Sequence, residues 1–164
     1  MVKRHEGLVP LSQEHFHHLV FANRLMYGKP DNKKSKWPQS IEEQASLAKL
    51  YFEKDMLSHF ELEEKVVFPV YDLYLTDNDP KRELLNKILK EHIYVKGLIA
   101  DLRSNKNNEL ELKLRDIGEH IEKHIRTEER KLYEDIQETI PNDELIAIGK
   151  ILKDKSSMTC FNFL

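Results

Sequence analysis

The stretch HFELE, residues 59–63, places a histidine and a glutamate one helical turn apart, among the apolar residues Phe52, Met56 and Val66. A second pentad, HIRTE at residues 124–128, repeats the spacing. Residues four apart share one face of a helix, so both pairs should face the apolar side. Burying an unpaired carboxylate costs several kcal/mol at least, against a total folding stability of roughly 5 to 15 kcal/mol. Two such carboxylates must therefore be neutralised.

Length and composition limit the classes of protein to consider. The chain has 164 residues, of which 34% are charged, with only five glycines and six prolines, which is typical of one helical domain. Lysines and arginines are scattered among acids, so neither nucleic acid nor an anionic membrane is an expected partner. We expect no signal peptide and no membrane span. The lone Cys160 cannot form an internal disulfide, and the expected compartment is the cytoplasm.

Capping and turn residues divide the chain into helices. Ser12 is the predicted cap of the first helix, Ser40 with Glu43 reads as a capping box, and Asp79 before Pro80 predicts a third start. Pro69 should kink or stop the second helix unless residues 71–75 continue it. The predicted helices run from Ser12 to Gly28, from Ser40 to about Pro69, from Pro80 to about Ser104, from about Asn108 to Thr139, and from Asp143 to about Lys153.

This pattern predicts an all-α fold: an up-down-up-down four-helix bundle with a short extra C-terminal helix. We assign residues 1–155 to the bundle and residues 156–164 to a C-terminal tail. Each of the four long helices has an apolar stripe interrupted by histidine, and two stripes also contain glutamate. The stripes are Leu11, His15, Leu19, Ala22 and Met26; Ala48, Phe52, Met56, His59, Glu63, Val66 and Val70; Leu85, Ile88, His92, Val95, Ile99 and Leu102; Leu110, Leu114, Ile117, Ile121, His124, Glu128 and Leu132.

No lysine or arginine lies on these stripes, and Lys96 lies just off the third. Histidine nitrogens and carboxylate oxygens inside a four-helix bundle are the donor set of a carboxylate-bridged two-metal site. A single histidine on an apolar face is more often a packed core residue, but the repeated pentad favours ligation. His18 and His120 are alternative ligands or supporting residues. Four further glutamates are expected to face water, or to hydrogen-bond a ligating imidazole instead: Glu64, Glu91, Glu119 and Glu129.

Four segments in the same order resemble the hemerythrin-like, or HHE cation-binding, family: PLSQEHFHHL at 10–19, HFELEEKVVFP at 59–69, KEH at 90–92 and HIRTEERKLY at 124–133. The resemblance covers about residues 5–135. It implies two iron ions, bridged by the two pentad glutamates and by an oxo or hydroxo group, with zinc or manganese as alternatives in recombinant material. The ligands that it implies are His15 and His59 on one iron, His92 and His124 on the other, and Glu63 and Glu128 between them.

One position departs from the oxygen-carrying members of that family, which supply two histidines from the third helix. Lys96 stands where the second of these would be, so the chain resembles the subset with four histidines and two glutamates. Four imidazoles, two bridging carboxylates and one bridging oxygen fill ten of the twelve positions on two six-coordinate irons. About one position on each iron then stays open for a small ligand.

Three functional classes fit these residues. The first is a di-iron protein that binds dioxygen or a related small molecule, for carriage, sensing or storage. The second is a redox-active protein that reacts with peroxide or nitric oxide, or donates iron for repair of iron–sulfur clusters. The third is a plain structural bundle. We favour a metal-binding protein over an enzyme, with no protein partner assigned.

Overall fold

The computed structural model describes residues 3–28, 37–103 and 107–155, and within these ranges the chain is all-α, without strands. It contains five helices there, which confirms the all-α prediction; residues 156–164 and parts of two predicted loops lie outside the described ranges. No described helix is long and apolar enough to cross a membrane. The helices are α1 (Val9–Tyr27), α2 (residues 41–73), α3 (Lys81–Ala100), α4 (residues 107–139) and α5 (Asn142–Lys155).

The predicted cap at Ser12 is wrong. Helix α1 begins at Val9, because Pro10 in its first turn already has the backbone angle that a helix needs. Ser12 is in the first turn of α1, after its start, and its hydroxyl donates to Glu129 Oε1 at 2.7 Å. The start at Ser40 agrees with the prediction, since Ser40 Oγ accepts from the Glu43 N–H. Helix α3 begins one residue later than predicted, at Lys81 with Pro80 as its cap residue, and Asp79 Oδ1 accepts from the Lys81 N–H at 2.9 Å.

Helices α2 and α4 contain π-turns, in which the backbone bond spans five residues instead of four. Helix α2 has two, at Phe52–Met56 and Glu63–Val67, and α4 has one at Glu128–Leu132. Each pentad therefore ends on a glutamate that opens a π-turn. The second π-turn of α2 ends just before Pro69, which takes the second position of the next α-helical segment, Phe68–Leu73, and does not stop the helix.

The extra residue in the second π-turn of α2 changes which side chains face the core. Val66 and Val70, predicted for the α2 stripe, are only half-buried, and Val67 and Tyr71 are buried in their place. That part of the prediction is wrong because it assumed a constant 3.6-residue period. In α1 the buried positions include Phe21 and Leu25, whereas Leu19 and Met26 are half-buried. The predicted stripes of α3 and α4 are buried throughout.

The core consists of two separate apolar clusters. One contains Phe21, Met56 and Ile117, and the other contains Tyr71 and Leu132, with each cluster built from residues of α1 to α4 and the second also from α5. Helix α4 packs along α1, α2 and α3, while α5 packs against α1 and the second π-turn of α2. The buried histidines and glutamates belong to neither cluster and lie on the same helices between the residues of the two.

Helices α1 and α4 approach each other closely at Gly118, where a Cβ atom would lie 2.7 Å from the Ala22 carbonyl oxygen. We predict that Gly118→Ala lowers the free energy of unfolding by about 1–3 kcal/mol, because backbone must move to admit the methyl group. Gly97→Ala is the matched control: its Cβ would meet nothing within 4 Å, so helix propensity should raise stability by about 0.5–1 kcal/mol. Urea denaturation measures both, and equal effects would contradict the close approach.

Candidate metal centre

The structure brings the six predicted ligands together at the middle of the core. Their donor atoms form two groups, each with all atoms within 4.8 Å of one another, and both groups include Glu63 and Glu128. All six side chains are buried, and the two glutamates are fully so. This is the division that the family resemblance implies. The groups are His15, His59, Glu63 and Glu128 on one side, and His92, His124, Glu63 and Glu128 on the other.

The Nε2 atoms of the four histidines all point inward. Within the first group the two Nε2 atoms approach to 2.8 Å, and within the second to 3.1 Å. Glu63 Oε2 lies 3.6 Å from the Nε2 of His59 and 3.4 Å from that of His92. Glu128 Oε2 lies 3.2 Å from the Nε2 of His15 and 3.3 Å from that of His124. Each carboxylate therefore spans one histidine of each group.

An outer ring of four glutamates fixes these imidazoles. The hydrogen bonds run around the bundle: a glutamate of α1 binds a histidine of α2, one of α2 binds α3, one of α3 binds α4, and one of α4 binds α1. Each glutamate of the outer ring is adjacent in the sequence to one of the six inner residues, in the dipeptides EH at 14–15, EE at 63–64, EH at 91–92 and EE at 128–129. The histidine Nδ1 atoms donate to Glu14 from His59 at 2.7 Å, to Glu64 from His92 at 2.8 Å, to Glu91 from His124 at 2.9 Å, and to Glu129 from His15 at 2.7 Å.

The outer ring decides which imidazole nitrogen is available to a metal. An ionised carboxylate only accepts hydrogen bonds, so each Nδ1 carries a proton. The neutral ring then has its lone pair on Nε2, which faces the centre. A carboxylate on the far nitrogen is the usual support of a metal-bound histidine, since it holds the ring and makes it more basic.

Two of the outer glutamates are themselves held by cations. Burial alone would raise the pKa of Glu129, but hydrogen bonds from His15 and Ser12, with the charge of Arg4, lower it to about 2. Burial likewise opposes ionisation of Glu64, and a hydrogen bond from Lys96 at 2.9 Å helps lower its pKa. These carboxylates therefore remain ionised acceptors at neutral pH.

The inner groups attract positive charge. Burial by itself would lower the pKa of His15, but the carboxylates of Glu128 and Glu129 outweigh it and raise the value to about 10. The pKa of His92 is also raised to about 10, because Glu128 and Glu63 outweigh its burial. A site that stabilises protons so strongly on buried imidazoles will also favour a cation.

The hydrogen bonding of three buried carboxylate oxygens shows whether the residues present fit a metal. No hydrogen bond from the described part of the chain reaches Glu63 Oε2 or either oxygen of Glu128, although all three atoms are buried. Buried carboxylate oxygens that accept no hydrogen bond are costly, even beside histidine nitrogens at 3.2–3.7 Å. These oxygens lie among four inward-facing nitrogens, and nitrogen with carboxylate oxygen is a donor set for iron, zinc or manganese. The residues therefore fit a pair of metal ions.

The centre also includes three side chains that the sequence did not predict as part of it. The Tyr133 hydroxyl donates to Glu63 Oε1 at 2.5 Å, and its ring stacks on His15. Phe60 stacks on His92 with ring centroids 3.9 Å apart. The third is Glu14, which the sequence did not predict to bind an imidazole. The dipeptide EH occurs at residues 14–15 and again at 91–92, and this repeat was a usable signal. Of the four glutamates considered beforehand, Glu119 alone pairs elsewhere, with Arg115.

Three other histidines, His120, His18 and His5, lie outside both donor groups. His120 does not enter either group: its Nδ1 donates to the Asp116 carbonyl oxygen, and its side chain is 39% exposed. His18 is also outside both groups but is buried beside His59, with ring centroids 4.9 Å apart. His5 contacts Asn142 at the far end of the chain. Lys96, at the position of a fifth histidine, binds Glu64.

Comparison with known proteins agrees with this arrangement. The family model described as the hemerythrin HHE cation binding domain matches residues 8–136, a span that includes all six inner residues and the whole outer ring. No curated protein and no solved structure matches the chain. The resemblance read from the four sequence segments is thereby confirmed.

We predict that Glu91→Ala weakens metal binding by about 10- to 100-fold, because His124 loses the acceptor that orients its ring. Competition against a chelator of known affinity measures the change. Glu119→Ala is the control, since Glu119 lies on the same helix as His124 but pairs with Arg115. An unchanged affinity in the Glu91 variant would show that the outer ring does not support ligation.

Proposed function

The chain belongs to the hemerythrin HHE cation binding domain family, and we propose from this premise that it holds two iron ions and binds dioxygen or a related small molecule. The observation that carries the proposal is the pair of donor groups that share Glu63 and Glu128. In this proposal His15 and His59 hold one ion, His92 and His124 hold the other, and the two carboxylates bridge them. Zinc and manganese are the competing metals, because the same donor types suit them.

The proposed topology is an up-down-up-down bundle over residues 1–155. The outer ring supports this order, because its hydrogen bonds join each long helix to the next and α4 back to α1. The two apolar clusters on either side of the ligands limit access of water along the bundle axis. The assignment of residues 156–164 to a tail and of the protein to the cytoplasm remain predictions.

Iron bound in this way would supply reversible binding of a small ligand such as dioxygen. The described part of the chain contributes no fifth inner histidine, and Phe60 lines the ring face of His92. Tyr133 keeps its proton, since burial and Glu63 raise its pKa far above the ordinary value, and it remains a donor to Glu63. Tyr133 thus holds the Glu63 carboxylate in place, and the six inner residues would leave positions for a ligand on the proposed ions.

A second function is favoured by one residue. Lys96 replaces the fifth histidine of the oxygen carriers, which leaves an additional position open. A more open centre would suit reaction with peroxide or nitric oxide, or donation of iron for cluster repair. The two proposals differ in whether the oxygenated form persists.

Removal of metal should lower the melting temperature. A ligand at about a thousand times its dissociation constant stabilises the folded state by about 4 kcal/mol, which corresponds to about 10 °C for a domain of this size. Differential scanning calorimetry of chelator-treated and iron-loaded protein measures the difference. Equal melting would favour the plain structural bundle, in which the buried histidines only pack.

Oxygen exposure after anaerobic loading with ferrous iron should produce a new optical absorption that disappears when oxygen is withdrawn. Repeated cycles without loss of signal support the binding function. Rapid irreversible oxidation or release of iron would contradict it and support the redox-active alternative. His17→Ala, at a half-buried histidine outside both donor groups, is the control and should cycle like the unmodified protein.

A further inference from the structure

His18 has the orientation of a ligand without belonging to either inner group. Its ring is only 3% exposed, and its Nδ1 lies 2.7 Å from the Tyr51 hydroxyl. Its Nε2 is buried and has no hydrogen-bond partner in the part of the chain that the structure describes. A buried ring nitrogen without a partner is uncommon and needs an explanation.

The four inner histidines share part of this arrangement. There too, Nδ1 is hydrogen-bonded to an acceptor outside the centre. At His18 the phenol oxygen of Tyr51 takes the place of the outer carboxylate, and it can accept the Nδ1 proton. The lone pair of His18 is then on Nε2, where a metal ion can use it.

Glu14 supplies a carboxylate beside the His18 side chain. Donor atoms of Glu14, His18 and His59 lie within 4.8 Å of one another, and all three residues are buried. One oxygen, Oε2, accepts from His59 Nδ1 at 2.7 Å. A carboxylate has about four lone-pair positions, so Glu14 can bind a cation and keep this bond.

The location of Glu14 distinguishes it from the bridging glutamates. Glu63 and Glu128 are 0% exposed, whereas Glu14 is 9% exposed. It also accepts a hydrogen bond from His59, a ligand of the proposed centre. A cation between Glu14 and His18 would therefore lie beside the inner groups and outside them.

We propose that Glu14 and His18 form a third cation-binding position, for a divalent metal ion that accepts nitrogen and oxygen ligands. The proposal rests on the proposed di-iron function, because this position adjoins the proposed pair. Its two protein ligands are fewer than the four residues of each inner group, so this position binds more weakly than the inner pair.

Cobalt(II) is the probe, because it binds nitrogen and oxygen donors and can be followed by its visible spectrum. Equilibrium dialysis of the full chain should give two tightly bound equivalents and a third, weaker one. In His18→Ala the third is expected to weaken by at least about tenfold while the first two persist. His120→Ala, which removes a half-exposed histidine outside the donor groups, should retain all three.

The outcomes separate this proposal from the proposed function. Binding of no cobalt contradicts both, and binding of two equivalents by the unmodified protein contradicts the third position alone. Retention of the third equivalent in His18→Ala also overturns it. If that variant does not fold, His18→Gln fills more of the space. Anomalous diffraction from crystals of the cobalt-loaded protein without substitutions gives an independent result. We expect an anomalous peak between Glu14 and His18, and the absence of this peak contradicts the third position.

Discussion

The structure depends on keeping two carboxylates in the dry interior. Glu63 and Glu128 are fully buried between two apolar clusters, and an uncompensated charge there would cost a large part of the folding free energy. The fold meets this cost with four imidazoles and with the attraction of the site for positive charge. The raised pKa values of His15 and His92 express the same demand that a metal ion would satisfy.

The outer ring converts this local demand into a property of the whole bundle. Every long helix contributes both an inner residue of the candidate centre and a glutamate that orients a histidine of another long helix. The orientation of each imidazole therefore depends on the packing of a neighbouring helix, and the four helices must be assembled before the inner residues are correctly placed. Arg4 and Ser12 extend this dependence to the N-terminal segment through Glu129. Such mutual support favours a rigid donor set over one that adapts to each ion.

The π-turns serve the same constraint. Two of the three begin at a pentad glutamate, so the extra residue follows Glu63 or Glu128 and leaves the four-residue spacing of the pentad intact. Beyond the ligands, the changed phase turns Val67 and Tyr71 inward on α2, and both belong to the apolar cluster that also contains Leu132 and Tyr133 of α4. The proposed third position combines the same types of donor, with His18 and Glu14 as its ligands and the Tyr51 hydroxyl beside the His18 Nδ1.

The sequence alone predicted the five helices, apart from the start of α1, and placed the six inner residues on buried helix faces, because caps, turns and four-residue spacing are local signals. Tertiary structure decided the rest. The burial of Val67 and Tyr71 in place of Val66 and Val70 depends on the π-turn at Glu63–Val67, which the spacing of apolar residues does not predict. The bond from His59 to Glu14 joins residues 45 positions apart, and the one from Tyr133 to Glu63 joins residues 70 apart. Such partners are chosen by which helices pack together, so only the assembled bundle could identify them.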